Sequence, residues 1–293
     1  MPDRKNDMTK KFMMLVALLC LSVITSAGPG CKKKEGDTVV DPPVTVPKDS
    51  IAIAGWELMW HDEFSGTVVD STKWSYEVNG SGGGNNELQY YTDRYQNSYV
   101  DSGALHIIAR KESYLGKKYT SARMRTATRG DWTYGRFLIR AKLPAGVGTW
   151  PAIWMLPTDW KYGGWPASGE IDIMEHVGYD PNVIHGSTHC QKYYFKIGTQ
   201  KTATVTIPNV TTQFHTYGLD WYPDSMEFSV DGNKYFTTYN DGSGWQGWPF
   251  DQRFHFLLNI AIGGDWGGAK GVDDSIFPVQ MDVDYVRVYR KTP

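Results

Sequence analysis

The chain has 293 residues, with 30 Lys and Arg against 32 Asp and Glu, a formal net charge of −2. Without residues 1–30, which hold Arg4, Lys5, Lys10 and Lys11 against Asp3 and Asp7, the charge is −4, and no basic cluster suited to nucleic acid or to a sulfated or acidic polysaccharide is left. The length allows one large β domain or two small ones, and 12 Trp and 18 Tyr favour strands and contact with neutral carbohydrate.

Residues 1–11 are polar and basic, and Phe12 to Val23 is an apolar run. That run is too short to span a bilayer and suits the h-region of a secretory signal. The small residues Ser26-Ala27-Gly28-Pro29-Gly30 precede Cys31, so residues 1–30 are read as a signal peptide. The segment resembles a bacterial lipoprotein signal, which implies lipidation at Cys31 and anchoring to the cell envelope; cleavage near Ala27 with plain secretion is the alternative. The lipid would be the only membrane contact. Residues 31–50, with Lys32-Lys33-Lys34, Pro42-Pro43 and Pro47, read as a tether of about 50–60 Å when extended. Cys20, Cys31 and Cys190 are the only cysteines, so residues 51–293 hold a single thiol and no internal disulfide.

From Ile51 onward, short apolar runs alternate with turn signals. Leu105–Arg110, Arg136–Leu143 and Phe254–Ile262 read as strands, and Asp231-Gly232-Asn233 joins two more as a hairpin. No sustained 3.6-residue apolar period and no 20–50-residue repeat appears. The expectation is one all-β antiparallel sandwich over residues 51–293. Gly82-Gly83-Gly84 suggests a mobile loop at a groove rim, and Trp245, Trp248 and Trp266 are candidate platforms or core corners. His185 and His189 lack the Glu of a His-Glu-x-x-His zinc motif and share one face if they lie on a strand.

Gly169 to Gly178 carries the chemistry. Glu170, Asp172 and Glu175 lie within six residues, separated by apolar side chains. On a strand Glu170 and Asp172 share a face, while Glu175 has the wrong parity unless a bulge at Ile173–Met174 loops out one residue. With it, three acids line one face, a spacing suited to the two carboxyls of a retaining glycosidase. Trp150, Trp154, Trp160 and Trp165 immediately precede them, and indoles stack on the C–H faces of sugars.

The stretch Gly164-Trp165-Pro166-Ala167-Ser168-Gly169-Glu170-Ile171-Asp172-Ile173-Met174-Glu175 resembles the signature of glycoside hydrolase family 16, in its laminarinase branch. Asn85–Thr92, Tyr119–Arg123, Gly148–Met155 and Asp284–Tyr289 carry the likeness over nearly all of residues 55–290. The resemblance implies a concanavalin A-like β-jelly roll with a glycan cleft on its concave sheet. It implies an endo-acting, retaining β-1,3-glucanase that acts on laminarin and extends to mixed-linkage β-1,3-1,4-glucan, as a monomer needing no cofactor for catalysis. Glu170 would be the nucleophile, Glu175 the acid/base and Asp172 their modulator. Asn86, Arg123, Trp150, Trp154, Trp165 and His189 would bind glucan, and a structural Ca²⁺ would sit on Asp284 with the carbonyls of Glu63 and Gly103. For Arg123 the residues alone equally allow a cross-strand ion pair. Rival readings are a galactan hydrolase of agarase or carrageenase type and a non-catalytic surface glycan-binding protein. The second has no need of three aligned acids, whose burial is costly.

Overall fold

A computed structural model of the protein describes residues 50–293. The signal segment, nearly all of the tether and Cys31 lie outside the described residues. The first strands are β1 (Trp56–Asp62), β2 (Ser75–Tyr76), β3 (Gln89–Tyr91), β4 (Ser98–Asp101), β5 (Ala104–Tyr114) and β6 (Lys117–Ser121). There follow β7 (Arg123–Arg125), β8 (Asp131–Trp132), β9 (Gly135–Lys142), β10 (Thr149–Pro157), β11 (Glu170–Glu175) and β12 (Val183–His189). The last are β13 (Lys201–Thr206), β14 (His215–Trp221), β15 (Ser225–Val230), β16 (Asn233–Tyr239), β17 (Phe254–Ile262) and β18 (Val279–Lys291). Two short 3-10 turns, Phe195–Ile197 and Asp274–Ile276, are the only helical pieces among the described residues.

The strands form two sheets, as the jelly-roll expectation requires. The cleft sheet runs β13-β12-β11-β10-β17-β7-β2, with β8 on β17. The back sheet runs β16-β15-β14-β9-β18-β5-β6-β3, with β1 on β18 and β4 on β5. Among the described residues the pairing is antiparallel apart from the short parallel β3–β6 contact. Sequence periodicity explains the layering. In β9 and β15 buried and half-exposed residues alternate, the mark of a strand with one face on the core. Every residue of β17 is buried, because a cleft lies over one face and the core under the other.

Between the sheets Phe137, Trp221, Phe254 and Phe256 pack edge-on or tilted with centroids 5.4–6.1 Å apart. Each such ring buried stabilises the fold by roughly 1.5–3 kcal/mol. Trp248 belongs to this core side, with its indole N–H donating to the Pro223 carbonyl at 2.9 Å, so it is a core corner and not a glycan platform. Cys190 is buried, and burial pushes its thiol up.

Candidate active site

The bulge in β11 is present where strand parity demands it. On the β10 side Met174 faces Ile153 and Asp172 faces Trp154, so Ile173 has no partner. On the β12 side Asp172 faces Ser187 and Glu175 faces His185, leaving two residues of β11 against Gly186 alone. Ile171, Ile173 and Met174 go into the core at 0–1% exposure. Glu170, Asp172 and Glu175 all turn to the other face, into a cleft of about 290 Å³.

Each glutamate is held by an indole. Trp165 donates its Nε1–H to Oε2 of Glu170 at 2.9 Å, and Trp150 donates to Oε1 of Glu175 at 3.0 Å. Trp154, between them on β10, donates to Oδ1 of Asn259 at 2.8 Å, and the Arg123 guanidinium lies 4.5 Å over its ring. Asn259 continues to the Tyr91 hydroxyl (3.2 Å), which donates to Glu87 (2.9 Å), and Gln89 also donates to Glu87 (2.6 Å). This relay braces the cleft floor. Gly83 closes over it at φ +58°, where a Cβ would lie 2.1 Å from the Glu87 carboxylate, so a larger residue would be strained and would have to displace that carboxylate.

His189 stands opposite Glu170 on β12, with Nε2 at 3.2 Å from Oδ2 of Asp172 and 4.0 Å from Oε1 of Glu170. His185, on the same face of β12, packs its ring edge-on against Trp266 at 4.8 Å, and Trp266 in turn meets Trp150 at 5.4 Å. The two histidines therefore meet different aromatic groups: His189 lies beside Trp165 and Phe195, His185 beside Trp266.

The electrostatics follow from burial among indoles. Burial first, and Asp172 second, push Glu170 up to about 8, against the opposing pull of His189, the Trp165 N–H and Arg123. Burial raises Asp172 too, opposed by hydrogen bonding with Glu170. Glu175 is raised as well, by burial and then by Asp172 and Glu170. Burial raises all three acids and the carboxylates repel one another, so the three cannot all carry charge together.

Other sequence-derived residues fall differently. Arg123 lines the cleft and also pairs with Glu77 through Nε at 3.1 Å, the ion pair that its residue type alone allowed. Asn86 is exposed, in a left-handed conformation, with its amide on Asp265 at 2.8 Å. Its neighbours Asn85 and Glu87 line the cleft instead. Trp245 stacks on Tyr162 at 5.3 Å, apart from the lining residues. Asp284 receives Arg140 at 2.8 Å, and both Glu63 carboxylate oxygens receive Arg287 at 2.9 Å. Strand register brings Glu63 and Gly103 to Asp284: β5 leaves β18 at Val283–Leu105 and β1 joins the same edge at Val286–Asp62.

Sequence reasoning missed Asn259, Phe195 and Lys196, all cleft-lining. Asn259 is the lone amide in the apolar run Phe254–Ile262, a legible signal. Phe195 and Lys196 sit on a 3-10 turn between β12 and β13 with no motif of their own.

This geometry has close counterparts. The X-ray structure of the laminarinase from Rhodothermus marinus superposes with a TM-score of 0.80 at 51% identity, covering 81% of this chain and 98% of that one. A non-specific endo-β-1,3(4)-glucanase from family 16, presenting 1,3-β-D-cellobiosyl-glucose at its active site, gives 0.78 at 46% identity over 82% and 96%. By sequence, the β-glucanase of Rhodothermus marinus is 51% identical over 244 residues, 80% of this chain and 85% of that protein. The family model described as Glycosyl hydrolases family 16 matches residues 82–287, and the chain belongs to that family.

Proposed function

We propose that the domain is an endo-acting β-glucanase that hydrolyses β-1,3-glucan and also accepts mixed-linkage β-1,3-1,4-glucan, with retention of anomeric configuration. The observation that carries this is the bulge in β11, which sets Glu170 and Glu175 into one cleft, each on its own indole donor.

Glu170 attacks the anomeric carbon while Glu175, kept protonated by its surroundings, passes its proton to the departing glycosidic oxygen. Glu175 then takes a proton from water, which attacks the same carbon and frees Glu170. Asp172, backed by His189, adjusts to the change of charge on Glu170. Aromatic side chains on both sides, Trp165 with Phe195 and Trp150 with Trp266, suit a chain running through the cleft and cut internally. The test is product analysis: laminarin oligosaccharides should release β-anomers first, seen by NMR before mutarotation. α-anomers first, or cleavage of agarose in preference to laminarin and lichenan, would overturn the reading. Glu175→Gln should lose most rate on substrates with poor leaving groups.

A structural calcium ion would be held at the junction of β1, β5 and β18 by the Asp284 carboxylate, which also receives Arg140, with the carbonyls of Glu63 and Gly103. The support is the register that brings these three segments to one sheet edge. Chelation should then lower Tm and added Ca²⁺ restore it. Envelope anchoring through Cys31 is proposed from the sequence, and Cys31→Ser should release the enzyme into the medium.

A further inference from the structure

Glu170, Asp172 and His189 bring three donor atoms together on the cleft floor, one carboxylate oxygen from each acid and a ring nitrogen, all within 4.8 Å of one another. They come from two paired strands, so sheet hydrogen bonds fix their spacing. Two ligands bound at about 2.1 Å to a tetrahedral Zn²⁺ are about 3.4 Å apart. The 3.2 Å between His189 Nε2 and Asp172 Oδ2 already meets that separation. Oε1 of Glu170, at 4.0 Å, needs only a small turn of the carboxyl while Trp165 holds Oε2.

An independent observation points the same way. Asp172 is 2% exposed, yet its Oδ2 accepts no hydrogen bond among the described residues, although His189 Nε2 lies 3.2 Å away. A buried carboxylate oxygen without a donor is costly, and a cation satisfies it. The charge opposing a cation is the Arg123 guanidinium, which Glu77 offsets at 3.1 Å. His189 Nδ1 has no partner among the described residues, whereas histidines of permanent metal sites usually donate that proton to an acceptor. The site therefore suits an exchangeable ion.

We propose that Glu170, Asp172 and His189 form a Zn²⁺ site in the catalytic cleft, and that zinc bound there excludes glucan and halts hydrolysis reversibly. Hard Mg²⁺, which keeps its waters and prefers an all-oxygen octahedron, should not replace it.

Calorimetric titration of the full chain with ZnCl₂ tests binding without reference to turnover, so it fails or succeeds independently of the glucanase assignment. One equivalent should bind, with at least tenfold weaker affinity in His189→Gln and in Glu170→Gln. If His189→Gln does not fold by circular dichroism, Glu170→Gln carries the test. Co²⁺ should give the intense visible band of a four-coordinate N,O site, lost in the same variants. Zinc should raise the apparent KM for laminarin with kcat unchanged, and EDTA should reverse this. Binding that survives both substitutions, that disappears in His185→Gln instead, or that lowers kcat at constant KM would overturn the proposal.

Discussion

The two sheets treat buried charge in opposite ways. On the outer face of the back sheet three acids have close cations. Asp220 takes both guanidinium arms of Arg136 at 2.7 and 2.6 Å, Glu63 takes Arg287, and Asp282 takes Lys142 and His106 at 2.7 and 2.6 Å. Burial alone would raise Asp282, but His106, Lys142 and Gln280 hold it below the usual carboxylate range. On the cleft sheet three acids meet indoles and one histidine, and burial raises all of them. Paired charge serves cohesion in one sheet; charge left without strong counterions is reserved for chemistry in the other.

The sharpest way to break this contrast is Glu170→Ala. It should lower kcat by on the order of 10⁴-fold or more while Tm holds or rises, since a buried acid is removed; a lower Tm with residual activity would merge the two roles. Arg287→Met should do the reverse. Stripping the buried guanidinium from Glu63 should cost about 3 kcal/mol in denaturant unfolding, with kcat per folded molecule unchanged. Trp165→Ala should weaken oligosaccharide binding by roughly 1–3 kcal/mol, and Trp165→Phe should restore stacking but not the hydrogen bond to Glu170.

The smallest effect is the pH dependence of stability, and its sign differs between the sheets. Glu170 binds its proton more tightly folded than unfolded. Its contribution is complete below the ordinary value of 4.5 and is lost as pH climbs towards about 8. Asp282 is lowered, so its contribution is present above the ordinary 3.8 and is lost as pH falls through the folded value. Unfolding curves of Glu170→Gln should flatten the neutral limb, and those of Asp282→Asn the acid limb. The same limb changing in both variants would undo the distinction.

Much of the site was legible because strand parity is strict. Three acids at 170, 172 and 175 with apolar residues between them require a bulge, and the pairing of Asp172 and Glu175 across Gly186 supplies it. His185 and His189 share a face for the same reason. What parity cannot give is the aim of a side chain in a loop. Asn85 and Asn86 are chemically identical, and only the left-handed turn at Asn86, clamped by Asp265, decides which one lines the cleft. Nor does composition separate Trp248, buried with its N–H satisfied by a carbonyl, from Trp266, which stands beside Trp150. Phe195 and Lys196 reach the cleft only because β12 and β13 return their loop over Trp165, a long-range event with no local signature.

Strand β18 sits between β9 and β5 and also carries β1, so the middle of the back sheet comes from the last strand of the domain. During synthesis, β1, β5 and β9 emerge well before the partner that unites them. Closure of the sandwich must therefore wait for residues 279–291 to clear the ribosome, and the distant pairings make it slow. A nascent chain stalled before residue 279 would expose three unmatched strand edges, making it a ready client for holding chaperones.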